Sequence, residues 1–271
     1  MNIIELLSFQ FIQNAYLAGS FIAILSAILG LILVLRKLSL IGDGLAHVSF
    51  GAIALALFLG IYPTYLAIPI AILASFLISQ LSQRGKIHGD AAIGIVSTTG
   101  IALGIIFASL AQGFNIDLFS YLFGNILAIS STEVYLAIGL SLLIIGAITW
   151  FYHDLFSTTF DREYAAVSGI KTARIDFVLM SLTAITIVLA IKLVGIMLIS
   201  ALLILPALSS LQLAKGFLEA IIIASLIAVL TVLIGITLSF YANLPSGATI
   251  VIINLGFFLA SLLLSKFKRH Y

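Results

Sequence analysis

The chain has 271 residues, of which 63% are hydrophobic and 8% charged, with net charge +2 and no cysteine. A soluble domain is about half apolar and about a quarter charged, so this chain cannot cover itself with polar groups and reads as an integral membrane protein. The missing cysteines exclude disulfides, thiolate metal sites and cysteine nucleophiles, and the small net charge argues against nucleic acid as a partner.

The first ten residues hold no Lys or Arg. The first apolar block is therefore expected to be a permanent span and not a cleaved signal peptide. A crossing helix needs about 20 apolar residues. Nine blocks meet that need, at 11–35, 40–61, 64–83, 90–111, 133–152, 173–193, 195–213, 217–241 and 247–265. The apolar runs are continuous, with Gly, Ala and Ser scattered through them. That pattern fits packed helices in lipid and not the strict alternation of a barrel. Asp117 to Ile129 is amphipathic and too short to cross, which predicts a re-entrant or interfacial helix. Pro206, inside the seventh block, should kink or break it. The expected fold is an all-α polytopic membrane protein forming one transmembrane domain over residues 1–271. It has about nine transmembrane helices and one short re-entrant or interfacial helix.

With nine spans, eleven of the twelve cations fall on one side: Arg36, Lys37, Arg84, Lys86, Arg162, Lys171, Arg174, Lys215, Lys266, Lys268 and Arg269. The positive-inside rule makes that side cytoplasmic, with the N-terminus outside and the C-terminus inside. The longest connection on that side, 153–174, has Ser and Thr as capping candidates before Asp161. Glu163, Ala165 and Ala166 follow, and Gly169 stops the run. It reads as a short helix on the membrane surface, or as a solvated linker.

A charged group inside a bilayer is a functional candidate by default. Asp43 and His47 lie a few residues into the second block, spaced i,i+4 on one helical face. Such a pair can share a divalent cation, and Gly42, Gly44 and Gly51 leave room for a neighbour. Alternatively, Asp43 caps the helix and His47 packs behind it. Two ligands are too few for tight binding, but a two-fold dimer would bring four together. Lys192 gates the outer mouth or snorkels to the interface. His88, His153 and His270 read as interfacial or solvated. P-loop, HExxH, GxGD and GxSxG signatures are all absent, so any ATP hydrolysis must come from another chain. An intramembrane enzyme would have only Asp43 and His47 to work with. A proton-driven carrier would have to titrate Asp43.

RKLSLIGDGLAHVSFGAIAL (36–55), DLFSYLFGNILAIS (117–130), FDREYAAVSGIKTAR (160–174), KLVGIMLISALLILPALSS (192–210) and LPSGATIVI (244–252) occur in this order. Over nearly its whole length the chain resembles the membrane permease subunit of the metal-ion ABC importers, which take up zinc and manganese. The resemblance implies a homodimer in the bacterial cytoplasmic membrane, above two cytoplasmic ABC ATPase subunits that use the ATP. It also implies an extracellular metal-binding lipoprotein as donor, and no permanently bound cofactor. Asp43 and His47 match family positions on the metal path. Phe160 to Gly169, including Asp161, Glu163, Tyr164 and Ala165, matches the coupling helix that docks on the ATPase. Tyr121 before LFG resembles the zinc branch, so zinc is the expected cargo, with manganese or iron the alternatives.

Overall fold

In lipid an apolar run has no hydrogen-bond partner but itself, so each long block closes into a helix. The computed structural model describes residues 8–84, 89–111, 116–125 and 129–269, and His88 and His270 lie outside them. These residues form twelve helices, α1 (Gln10–Leu35), α2 (Ile41–Leu59), α3 (Pro63–Arg84), α4 (Gly89–Leu110), α5 (Ile116–Phe123), α6 (Ser131–Trp150), α7 (Tyr152–Phe160), α8 (Arg162–Val167), α9 (Thr172–Val194), α10 (Ile199–Leu213), α11 (Phe217–Ala242) and α12 (Ser246–Arg269). Eight are long and apolar enough to cross a membrane. The predicted seventh span becomes the 15-residue α10, about 22 Å long at the helical rise and short of the ~30 Å hydrocarbon core.

Spans α1, α2 and α9 are the most buried. Helix α1 packs on α11 and α10, and α2 packs on α4 and α3. Glycine decides how closely α2 and α4 approach. A Cβ on Gly51 would lie 2.6 Å from the Gly100 carbonyl oxygen, and one on Gly100 would lie 2.6 Å from Val48 Cα. The two backbones touch, as small residues allow in membranes. This contact fixes the α2 segment that carries His47.

The short amphipathic segment forms α5, as predicted, and ends at Gly124 with φ 76°. Beside it the chain leaves α9 at Gly195, φ 90°, and runs without helix to Leu198. Free backbone groups in an apolar setting must find partners. Here Ile196 N–H donates to the Tyr121 carbonyl at 3.0 Å, Met197 N–H to Leu122 at 3.3 Å and Asn125 N–H to the Lys192 carbonyl at 3.0 Å. Of the kink or break expected at Pro206, a break is not observed: α10 runs unbroken through that residue. Proline removes a single N–H, and α1, α11 and α12 pack around α10 and hold it. The interruption falls earlier, where Gly195 takes a conformation that other residues resist.

The 153–174 connection holds two helices, α7 and α8, and not one. The Ser/Thr candidates do not cap. Thr158 and Thr159 lie inside α7, donating back to the carbonyls of Asp154 and Leu155. The cap of α8 is Asp161, whose Oδ1 accepts from Tyr164 N–H at 2.9 Å. Gly169, φ 88°, follows the helix and ends it as expected.

One end of the bundle gathers described basic residues from several helices. Arg36 contacts α7 and α9 there, Phe217, two residues past Lys215, packs on Phe156 and Phe160, and Ser265 beside Lys266 reaches Gln212. Lys192 sits at the opposite end.

Candidate functional site

Helix α2 holds the acid–imidazole pair. Its N-cap is Leu40, without a side-chain cap bond, and Asp43 lies within the first turn. Capping therefore does not account for Asp43. The pair sits on one face as the i,i+4 spacing requires, with His47 Nε2 3.5 Å from Asp43 Oδ2. The His47 side chain is mostly buried and that of Asp43 half exposed. His47 is six residues past the start of α2, about 9 Å along the axis, so the pair lies in the half of α2 nearer the basic end. Chemically it offers one carboxylate oxygen and one imidazole nitrogen, both ligands for zinc or another borderline divalent ion. Among the described residues no three His, Cys, Asp or Glu side chains converge on one point. As ligands for an ion the pair alone would make an incomplete shell, to be completed by water or a second chain.

The α8 region presents a different surface. Phe160, Tyr164 and Val167 are exposed apolar or aromatic side chains at the basic end. Asp161 and Glu163 are exposed beside them, while Ala165 is fully buried and anchors the helix. Pro206 is buried in α10.

Lys192 does not hang free toward the interface. Its ammonium pairs with Glu133 on α6, and the same carboxylate oxygen accepts from the Tyr62 hydroxyl. Lys192 Nζ also stands 5.8 Å from the Tyr62 ring centroid and 5.5 Å from that of Tyr121, within cation–π range. Glu133 doubles as the N3 member of the capping box of α6, with Ser130. Burial, and then Glu133, push the Tyr62 phenol well above its ordinary range, so it stays a hydrogen-bond donor. The sequence signal for this cluster was the capping box pattern SSTE, Ser130 to Glu133, before an apolar run.

The basic end holds a second cluster that spacing could not foretell. Asp176, buried in α9, accepts from Arg36 Nη1 at 2.7 Å through Oδ1 and from Arg162 Nη2 at 2.8 Å through Oδ2. Arg36 is the C-cap of α1. Its Nε donates to Thr159 Oγ1 at 3.1 Å and its Nη2 to Thr158 Oγ1. Burial lowers the Arg36 pKa, against the pull of the Asp176 carboxylate. A cavity of about 430 Å³ lies alongside, reaching Ile41 and Ser82. The only sequence hint was an acid within a predicted span.

Together these features define a polytopic helical membrane protein with a metal-competent pair in one span and an exposed surface helix at its basic end. The family model of the ABC 3 transport family matches residues 8–265, and the chain belongs to that family. It is 33% identical to a manganese import system permease protein of Streptococcus gordonii, over 97% of this chain and 94% of that one. To a high-affinity zinc uptake system membrane protein of Haemophilus influenzae it is 31% identical, over 96% and 98%. Its structure is similar to PsaBC from Streptococcus pneumoniae, solved in complex with Fab, with a TM-score of 0.87 at 33% identity over 96% of this chain and 93% of that one. The chain is accordingly a metal ABC importer permease, a multi-pass protein of the bacterial plasma membrane. Membership of that family makes it a transport subunit.

Proposed function

We propose that the chain works as one of two identical permease subunits that pass zinc inward, with Asp43 and His47 as the cargo contacts. The basic end faces the cytoplasm under the positive-inside rule. The single observation that carries this reading is an acid–imidazole pair at 3.5 Å in a span that has no other charged residue. Two copies related by a two-fold axis would supply two carboxylates and two imidazoles. Such a shell binds without the permanence of a thiolate cage, so the ion can leave. An extracellular metal-binding lipoprotein delivers the ion, and two ATPase subunits drive alternating access from below.

Zinc is favoured by Tyr121 preceding Leu122 and Phe123, while the His–Asp donor set serves zinc and manganese alike. Manganese is the second reading, favoured by the 33% identity to the S. gordonii permease named for manganese import. The test is uptake into proteoliposomes holding permease and ATPase, with zinc and manganese offered together. Zinc is expected to enter in preference, and a manganese excess decides for the second reading.

We assign ATPase docking to Phe160, Asp161, Glu163, Tyr164, Ala165 and Gly169. The exposed Phe160, Glu163 and Tyr164 make the contact, Asp161 and Gly169 fix the ends of α8, and Ala165 seats it. Replacing Glu163 and Tyr164 together with alanine should strip the ATPase from the permease and end uptake, as read by co-purification and by transport. A double variant that still transports would remove the docking assignment.

A further inference from the structure

The Arg36–Asp176–Arg162 cluster lies between α8 and the corner leading to α2. One carboxylate spends an oxygen on each of two guanidinium groups, and these belong to different parts of the chain. Arg36 ends α1, and its other donors hold the last turn of α7. Arg162 opens α8. Between Arg36 and α2 stand only Lys37 to Leu40, and Lys37 holds the left-handed conformation, φ 59°. The turn is therefore short, and two residues into α2 comes Asp43.

The two ion pairs differ in environment. Both Arg36 and Asp176 are withdrawn from water, with side chains 8% and 9% exposed, whereas Arg162 is 54% exposed. A desolvated, multiply hydrogen-bonded pair is a fixed joint, because separating it leaves a buried charge unpaired. A half-exposed pair forms and breaks against water at little cost. The cavity of about 430 Å³ beside them is lined by Arg162 on one side and by Arg36, Lys37 and Ile41 on the other. It leaves room for α8 to shift relative to the start of α2.

We propose that Arg162 and Asp176 are positioning residues that transmit movement of α8 to the metal-bearing turn of α2. Asp176 and Arg36 form the rigid joint, and Arg162 is the detachable one. The proposal rests on the reading of α8 as the ATPase-facing helix.

The test uses the permease–ATPase complex in liposomes and the variants Arg162→Gln and Arg162→Lys. Arg162→Gln leaves the buried Arg36–Asp176 pair intact, so the complex should be recovered normally. It should keep the ATPase bound and hydrolysing, while metal moved per ATP falls by at least about five-fold, the lower end of an ordinary coupling between sites. Arg162→Lys keeps a charge that can reach Asp176 and should restore most of the ratio. An unchanged ratio in Arg162→Gln overturns the proposal. So does loss of the ATPase from that variant, since Arg162 would then be a docking contact. The α8 reading fails separately, as retained ATPase binding and transport in the Glu163→Ala/Tyr164→Ala variant. That result removes the premise and the proposal together, whereas a disabled double variant beside an unchanged Arg162→Gln removes the proposal alone.

Discussion

Alanine at Asp43 or at His47 is expected to abolish metal uptake while leaving the permease–ATPase complex intact. The loss should exceed the 10- to 100-fold, roughly, that removing even an outer-shell partner of a metal ligand costs. Only two candidate ligands stand in α2, so deleting one halves what each chain offers. Stability should change little. Asp43 is half exposed and its side-chain contact is with the His47 imidazole, so removing either group leaves the other without a buried, unmatched partner. Uptake of radioactive zinc and size-exclusion recovery of the complex, measured side by side, separate the two effects. Normal uptake in both variants would sink the metal-path assignment.

The second large effect is steric. Gly100→Ala places a Cβ 2.6 Å from Val48 Cα, 2.9 Å from Val48 N and 3.0 Å from the His47 carbonyl oxygen. All three are main-chain atoms, and no rotamer change relieves them. Helix α2 must move away from α4, and His47 moves with it. Overpacking of this kind costs about 1–3 kcal/mol, so the midpoint of thermal unfolding in detergent should fall and transport with it. Gly94→Ala, on the same helix, is the control. Its Cβ meets nothing within 4 Å, and replacing a mid-helix glycine contributes roughly 0.5–1 kcal/mol. The two substitutions are chemically identical and should act in opposite directions. If Gly100→Ala were as stable and as active as Gly94→Ala, the close α2–α4 contact would be refuted.

What could be read from residues alone follows from what lipid enforces. Eight long helices were legible because a bilayer leaves an apolar run no other structure. The Asp43–His47 pair was legible because helical spacing alone brings residues four apart together. The stop at Gly169 came from local chain chemistry. Features that depend on elements distant in sequence were not legible. Asp176, within the sixth block, was not told apart from the loop charges, because its partners lie 140 residues away at Arg36 and 14 residues away at Arg162. Lys192 looked like a snorkelling cation until Glu133, 59 residues distant, came beside it. The interruption at 195–198 was not foreseen, because proline is the stronger breaker in isolation and drew the expectation of a kink or break to residue 206. Where neighbouring helices support a proline, and where a glycine turn is bonded by another segment, that ranking reverses. The Ser/Thr run before Asp161 could cap a helix or continue one, and α7 decided in favour of continuing.

The junction between α5 and the 195–198 turn is built almost wholly from peptide groups. Its bonds run from backbone N–H to backbone C=O, and the atoms crowding Gly124, Gly195 and Gly247 are main-chain atoms as well. Every amino acid supplies the same peptide group, so this contact is indifferent to most side-chain replacement. Mutational drift can alter the size, charge and polarity of the residues around it without opening it. The sensitivity is concentrated on three positions, each of which tolerates only a hydrogen atom where other residues carry carbon.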